Sequence, residues 1–130
     1  MKRIAALLMA LLLGAGLGAI TTAAPAQAAP PSGCLSSYVC LYAGDNYSGY
    51  AVFVNATASA NLGCHSLYGK PLNNNIQSLY GNYVGQHRLI DYYDSQNCTG
   101  TVIFWSTGGA YPNLSSSVDN RISSYHIRVI

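Results

Sequence analysis

The sequence predicts an all-β domain, and three observations lead there. After residue 28 helix signals are nearly absent, while short runs rich in Tyr, Val, Ile and Phe are punctuated by Gly, Asn, Ser and Asp. Residues 42–49 overlay on 93–100 at an offset of 51, Tyr42 on Tyr93 and Gly49 on Gly100, and further matches follow in the same order, so the strands come as two similar sets. Four cysteines follow an export-like N-terminus, which suits a small cross-linked domain.

Residues 1–28 read as a signal peptide. Lys2 and Arg3 form the basic start, Ile4 to Ile20 the apolar stretch, and Ala26-Gln27-Ala28 the small-residue cleavage site. An uncleaved anchor is the competing reading, because the apolar run approaches the ~17-residue lower limit of a spanning helix; the Ala-x-Ala site and the polar chain beyond it favour cleavage. Cleavage leaves a secreted, extracellular domain of residues 29–130, large enough for one core and with no further membrane contact.

Six strands follow in order: Tyr38–Tyr42, Tyr50–Val54, Gln77–Tyr80, Arg88–Tyr92, Thr101–Trp105 and Ser123–Ile130. The last is the clearest, since Tyr125, Ile127 and Val129 alternate with His126 and Arg128, placing the large side chains on one face. Four cysteines allow three pairings. Cys34 with Cys40 and Cys64 with Cys98 is preferred, because it pins the N-terminal arm locally and closes a longer loop between the halves. A zinc site lacks the paired C-x-x-C knuckles such sites show.

The net charge of +2 is that of Lys2 and Arg3 alone, for Lys70, Arg88, Arg121 and Arg128 balance Asp45, Asp91, Asp94 and Asp119. A neutral body with no basic stripe lacks what phosphate-backbone binding needs, so nucleic acid is not an expected partner.

Within the repeat, Tyr42-Ala43-Gly44-Asp45-Asn46-Tyr47-Ser48-Gly49 answers Tyr93-Asp94-Ser95-Gln96-Asn97-Cys98-Thr99-Gly100. Further on, Asn61-Leu62 is laid on Asn113-Leu114, and Asn74-Asn75-Ile76-Gln77-Ser78-Leu79 on Asp119-Asn120-Arg121-Ile122-Ser123-Ser124. This register gives the first half about seven extra residues around Cys64.

The doubled Tyr-x-x-x-x-Tyr-x-Gly and Asn/Asp-Asn/Asp-x-x-Ser-Ser patterns resemble the paired Greek-key motifs of the βγ-crystallin superfamily, over nearly the whole mature chain. The start, Cys34 through Val39-Cys40-Leu41-Tyr42 and Asn46-Tyr47-Ser48-Gly49, is similar to the small secreted bacterial metalloproteinase-inhibitor branch. Two departures stand out: Cys98 replaces the second aromatic of the second half, and Leu79 replaces the final Ser of the first. The resemblance implies a disulfide-bonded double Greek-key β-sandwich, with motifs at about 38–83 and 88–130.

It also implies weak structural calcium binding at two neighbouring sites, each loop helping to complete both. Calcium takes six to eight oxygen ligands from carboxylates, amides, hydroxyls and carbonyls. Asn74, Asn75 and Ser78 would pair with Asp119, Asn120 and Ser123, with carbonyls of Ile76 and Arg121 contributing. Only Asp119 is charged among these side chains. The plainer role of such Asn and Ser residues is to close turns.

By the same resemblance the expected partner is an extracellular protease, metalloproteases first, bound by a monomeric inhibitor whose rigid loop resists cutting. The segment Gly63–Pro71 is the chosen inhibitory loop, with Cys64, His65, Ser66, Leu67 and Tyr68 at its centre; Leu67 or Tyr68 would fill an apolar subsite. The alternative is a calcium-binding secreted module with a structural or surface-binding role.

Catalysis is the weakest reading: the chain has no Glu, neither a His-Glu-x-x-His nor a Gly-x-Ser-x-Gly motif, and His65, His87 and His126 are scattered, the first two in loops. Eleven tyrosines raise carbohydrate binding, although core and corner positions account for tyrosine more simply. Asn-x-Ser/Thr triplets at Asn46, Asn55, Asn97 and Asn113 matter only in a glycosylating host.

Overall fold

Alternating apolar and polar residues with turns every few positions leave this chain one way to bury its large side chains, which is to stack two sheets. The computed structural model describes residues 29–130; the predicted signal segment lies outside the described residues. Its strands are β1 (Tyr38–Gly44), β2 (Ser48–Asn55), β3 (Gly63–Ser66), β4 (Ser78–Gly81), β5 (Arg88–Tyr93), β6 (Val102–Ser106), β7 (Gly109–Tyr111) and β8 (Ser124–Val129). They form two antiparallel sheets in the orders β2-β1-β4-β7 and β3-β8-β5-β6. Each half therefore gives its third strand, β3 or β7, to the other half's sheet.

The six predicted strands are present, and β3 and β7 are the two the sequence did not announce. β3 reads Gly-Cys-His-Ser, with no β-branched or large aliphatic residue, and β7 is three residues long. Their presence moves the extra length of the first half. Seven residues, 56–62, join β2 to β3, while two, 107–108, join β6 to β7, so the surplus precedes β3 and does not surround Cys64.

Between the sheets Val39, Leu41 and Leu79 meet Ile90, Tyr92, Tyr125 and Ile127, with Ile76 and Ile122 entering from the loops. Tyr92 packs against Phe104 at 5.5 Å between ring centroids, and Phe104 against Tyr111 edge-on at 5.0 Å. Tyr125 and Ile127 are core as expected; Val129 lies past the end of β3 and is 56% exposed.

The folded hairpins of the two halves are locked identically. Tyr47 donates its N–H to Ser78 Oγ at 2.9 Å, and that hydroxyl donates to the Gly44 carbonyl at 2.6 Å. Cys98 donates to Ser124 Oγ at 2.9 Å, and Ser124 to the Ser95 carbonyl at 2.5 Å. The bends need positive φ at Gly49 (76°) and Gly100 (79°), where glycine has no Cβ to clash. Both serines are fully buried.

Two disulfides, Cys34–Cys40 and Cys64–Cys98, match the preferred pairing. The first fastens the N-terminal arm over the outside of the first sheet, where Cys34, Cys40, Tyr42 and Tyr80 form a second small core. The second joins β3 to the β5–β6 hairpin, and so joins the halves.

Replacing Ser78 or Ser124 by Ala strands a partly buried backbone N–H, so each variant should lose about 1–3 kcal/mol of unfolding free energy in urea titration, with similar values for the two. Burial also pushes the phenols of Tyr92, Tyr83 and Tyr125 upward, Tyr125 to about 12. Unfolded tyrosines ionise near pH 10, so the unfolded state sheds these protons first. Stability from this source is complete below pH 10 and falls as the pH rises from there to about 12. Urea midpoints followed across that range, with phenolate absorbance, check it.

Candidate functional site

The loops entering β4 and β8 meet at the junction of the two halves, because the Greek-key path brings each back beside the other half. Asn74 donates its N–H to the Ile122 carbonyl at 2.9 Å, and Asn120 donates to the Ile76 carbonyl at 3.1 Å. Asn74 and Asn120 both sit in the left-handed region, at φ 51° and 54°. The match continues in the sheets, where Tyr42 pairs with Ser78 as Tyr93 pairs with Ser124.

This geometry corrects the register of the repeat by one residue. Asn73-Asn74-Asn75-Ile76-Gln77-Ser78 is the counterpart of Asp119-Asn120-Arg121-Ile122-Ser123-Ser124, so Ser78 answers Ser124 and Leu79 no longer replaces a serine. Three consecutive asparagines make either register readable in sequence; the paired hydrogen bonds decide it.

Of the metal residues expected from sequence, Asn74, Asp119, Asn120 and Ser123 lie in the paired loops, and Ser123 Oγ donates to Asn74 Oδ1 at 2.8 Å across the pseudo-twofold. Ser78 is committed to its hairpin. Asn75 points its amide to the Pro71 carbonyl at 3.2 Å, and the Ile76 carbonyl accepts the Asn120 bond already described. Arg121 bonds the Ser117 carbonyl and pairs with Asp94 at 3.1 Å on the surface.

Sequence reasoning missed Asn73. Its Oδ1 and Oδ1 of Asp119 occupy equivalent places and are both buried without a hydrogen-bond partner among the described residues. A buried oxygen left unpaired is unfavourable, and two related by the pseudo-twofold point to a common use. An oxygen-seeking cation fits them, with Asn73 and Asp119 supplying one oxygen each. Among the described residues no group of three or more His, Cys, Asp and Glu side chains stands ready for a metal, so a cation here rests on amide, hydroxyl and carbonyl oxygens and a single carboxylate.

The expected inhibitory segment is divided by the fold. Cys64, His65 and Ser66 belong to β3, so His65 is a strand residue; its ring stacks on Tyr125 at 5.0 Å and its Nε2 bonds the Asn61 carbonyl at 2.7 Å. Leu67 is a core residue, and its N–H binds the Ser123 carbonyl at 2.9 Å, so it does not reach outward. Beyond it Tyr68, 65% exposed, reaches outward. The β5–β6 hairpin leaves at the same end, for Ser66 and Tyr93 both pair with Ser124, and Cys64–Cys98 ties the two segments together. Ser95 and Thr99 close the hairpin tip through mutual hydrogen bonds.

A family model describing peptidase inhibitor family I36 matches residues 27–105, which include β3, the hairpin and both disulfides. The chain belongs to that family. Its fold is shared with solved βγ-crystallin domains. The domain from Clostridium beijerinckii is similar at 24% identity, over 69% of this chain and 95% of that one, with a TM-score of 0.53. The βγ-crystallin of Ciona intestinalis is similar at 18% identity, over 70% and 99%, with a TM-score of 0.53. The N-terminal domain of protein S matches at 16% identity, over 72% and 97%, with a TM-score of 0.52. No curated protein matches the chain. Membership of the I36 family makes this an inhibitor-like domain, and its disulfides suit an oxidising compartment. Among the described residues no helix is long and apolar enough to cross a membrane.

If the paired loops take calcium, millimolar calcium should raise the melting temperature by several degrees, and Asp119→Ala should remove most of that rise while Asn75→Ala leaves it. Scanning calorimetry with calcium against chelator measures both.

Proposed function

We propose that this domain is a secreted, non-catalytic inhibitor of extracellular metalloproteases, monomeric and released by cleavage after Ala28. The observation that carries the reading is the I36 family match, which spans the disulfide-tied end of the sandwich. The inhibitory surface in this reading is that end: the exposed turn beginning at Tyr68, with Gly69, Lys70 and Pro71, beside the hairpin from Asp94 to Gly100.

The chemistry is that of a pre-organised ligand. Strand pairing of β3 to β8, the Leu67 anchor and the Cys64–Cys98 bond hold both segments before a protease arrives, so little conformational entropy remains to be lost on binding. A segment held at both ends also resists the relaxation that lets cleavage products leave.

Calcium is assigned a supporting role. Asn73, Asn74, Asp119 and Ser123 would hold the ion, with Asn120 adjoining, and the ion would supply charge neutralisation and stiffness at the junction of the halves. The second reading, a calcium-stabilised module that binds another surface, draws on the same unpaired oxygens.

Titration of purified, oxidised protein against a thermolysin-like metalloprotease in excess calcium, following a small substrate, should give stoichiometric loss of activity with the inhibitor intact. A Cys64→Ser/Cys98→Ser double variant should inhibit at least tenfold more weakly, and Tyr68→Ala severalfold more weakly at unchanged melting temperature. No inhibition at micromolar protein would remove metalloproteases as the target.

A further inference from the structure

The two halves treat equivalent outer faces differently. Across the first sheet the register sets Phe53, Cys40, Tyr80 and Ala110 in one row; across the second, the matching row is Trp105, Asp91, His126 and Cys64. The middle of the first row, Cys40 and Tyr80, is covered by the protein's own N-terminal arm. Cys34 bonds Cys40, and Gly33 lies so close to the Phe53 ring that a Cβ there would stand 3.2 Å from it.

The second row has no such cover among the described residues. Trp105 is 60% exposed, whereas its register partner Asp91 is only 7% exposed and holds Arg128 Nε at 2.8 Å through one carboxylate oxygen. Register partners on adjacent strands share a face, so Trp105, Asp91, Arg128 and His126 line one surface. The Trp105 indole N–H, the second Asp91 oxygen and the His126 ring nitrogens make no hydrogen bond with another described residue.

That combination selects a ligand class. The ion pair cancels its own charge, so the face does not attract ions of either sign. An exposed indole offers a flat apolar surface, and the groups beside it include acceptors and donors in the same plane. Beside the indole, Asp91 and His126 keep hydrogen-bonding capacity that no described residue uses. A sugar ring has the complementary form: a C–H face to stack on indole, and hydroxyls that both donate and accept. Strands about 4.8 Å apart put Trp105 and His126 about 10 Å from each other, a span that two linked sugar rings cover.

We propose that the outer face of β6, β5 and β8 binds a neutral polysaccharide chain, with Trp105 stacking on one ring and Asp91, Arg128 and His126 hydrogen-bonding its hydroxyls and those of the next. The site lies on the sheet face and does not depend on the inhibitory reading of the loops.

Trp105 is the chain's single tryptophan, so its fluorescence reports this face alone. Titration with the β-1,4-linked hexaoses of glucose and of N-acetylglucosamine should give a saturable blue shift with at least one of them at submillimolar to millimolar concentration. By calorimetry Trp105→Ala should weaken that binding at least tenfold and His126→Ala about threefold, while melting temperature and protease inhibition stay within error of the parent. No shift and no heat with either sugar at 10 mM, or undiminished binding by a folded Trp105→Ala variant, would overturn the proposal. Loss of protease inhibition in Trp105→Ala without sugar binding by the parent would overturn it too, and would assign the face to the protease.

Discussion

Each half of this molecule depends on a strand it does not own. β7 of the second half completes the first sheet beside β4, and β3 of the first half completes the second beside β8. Neither hydrophobic face can be closed by local pairing alone, so the core forms only when both halves are present. The hydrogen bonds from Asn74 to Ile122 and from Asn120 to Ile76 lie on the same axis, and the paired loops inherit their symmetry from that exchange. The one disulfide between the halves reinforces it from the outside.

The fold was legible where the sequence repeats. Tyrosine and glycine spacing located the folded hairpins, and alternation located β8, because both signals are local. β3 and β7 were invisible because their strand character is imposed by the partner sheet: Gly63–Ser66 pairs with β8 through backbone groups that any sequence carries. The same blindness misplaced the surplus residues and made the start of Gly63–Pro71 look like a free loop. Composition raised the question of what eleven tyrosines do; Tyr42, Tyr80, Tyr83, Tyr92, Tyr93 and Tyr125 are buried, while the exposed aromatic with polar neighbours is a tryptophan.

The candidate metal loops were legible in kind but shifted in register. Asn73, Asn74 and Asn75 are chemically identical in sequence, and it takes the folded backbone, left-handed at Asn74 as at Asn120 and cross-bonded between the loops, to tell them apart. Ser78 and Ser124 were visible as motif residues, yet their hydroxyls serve the hairpins, a use that depends on Gly44 and Ser95 arriving from the preceding strand connections. Pairing two adjacent serines, Ser123 for the loop and Ser124 for the hairpin, separates these tasks in the second half; Gln77 takes the first of these places in the other.

The Cys64–Cys98 bond has a bearing on damage. Every peptide bond of the turn after Leu67 and of the hairpin before Cys98 lies within the ring that this disulfide closes. A protease that nicked either segment would produce two pieces still covalently joined, their new ends held by β3, β5 and β8. The ends would stay at high effective concentration, so a nicked molecule keeps its shape and rejoining is far less disfavoured than for free fragments.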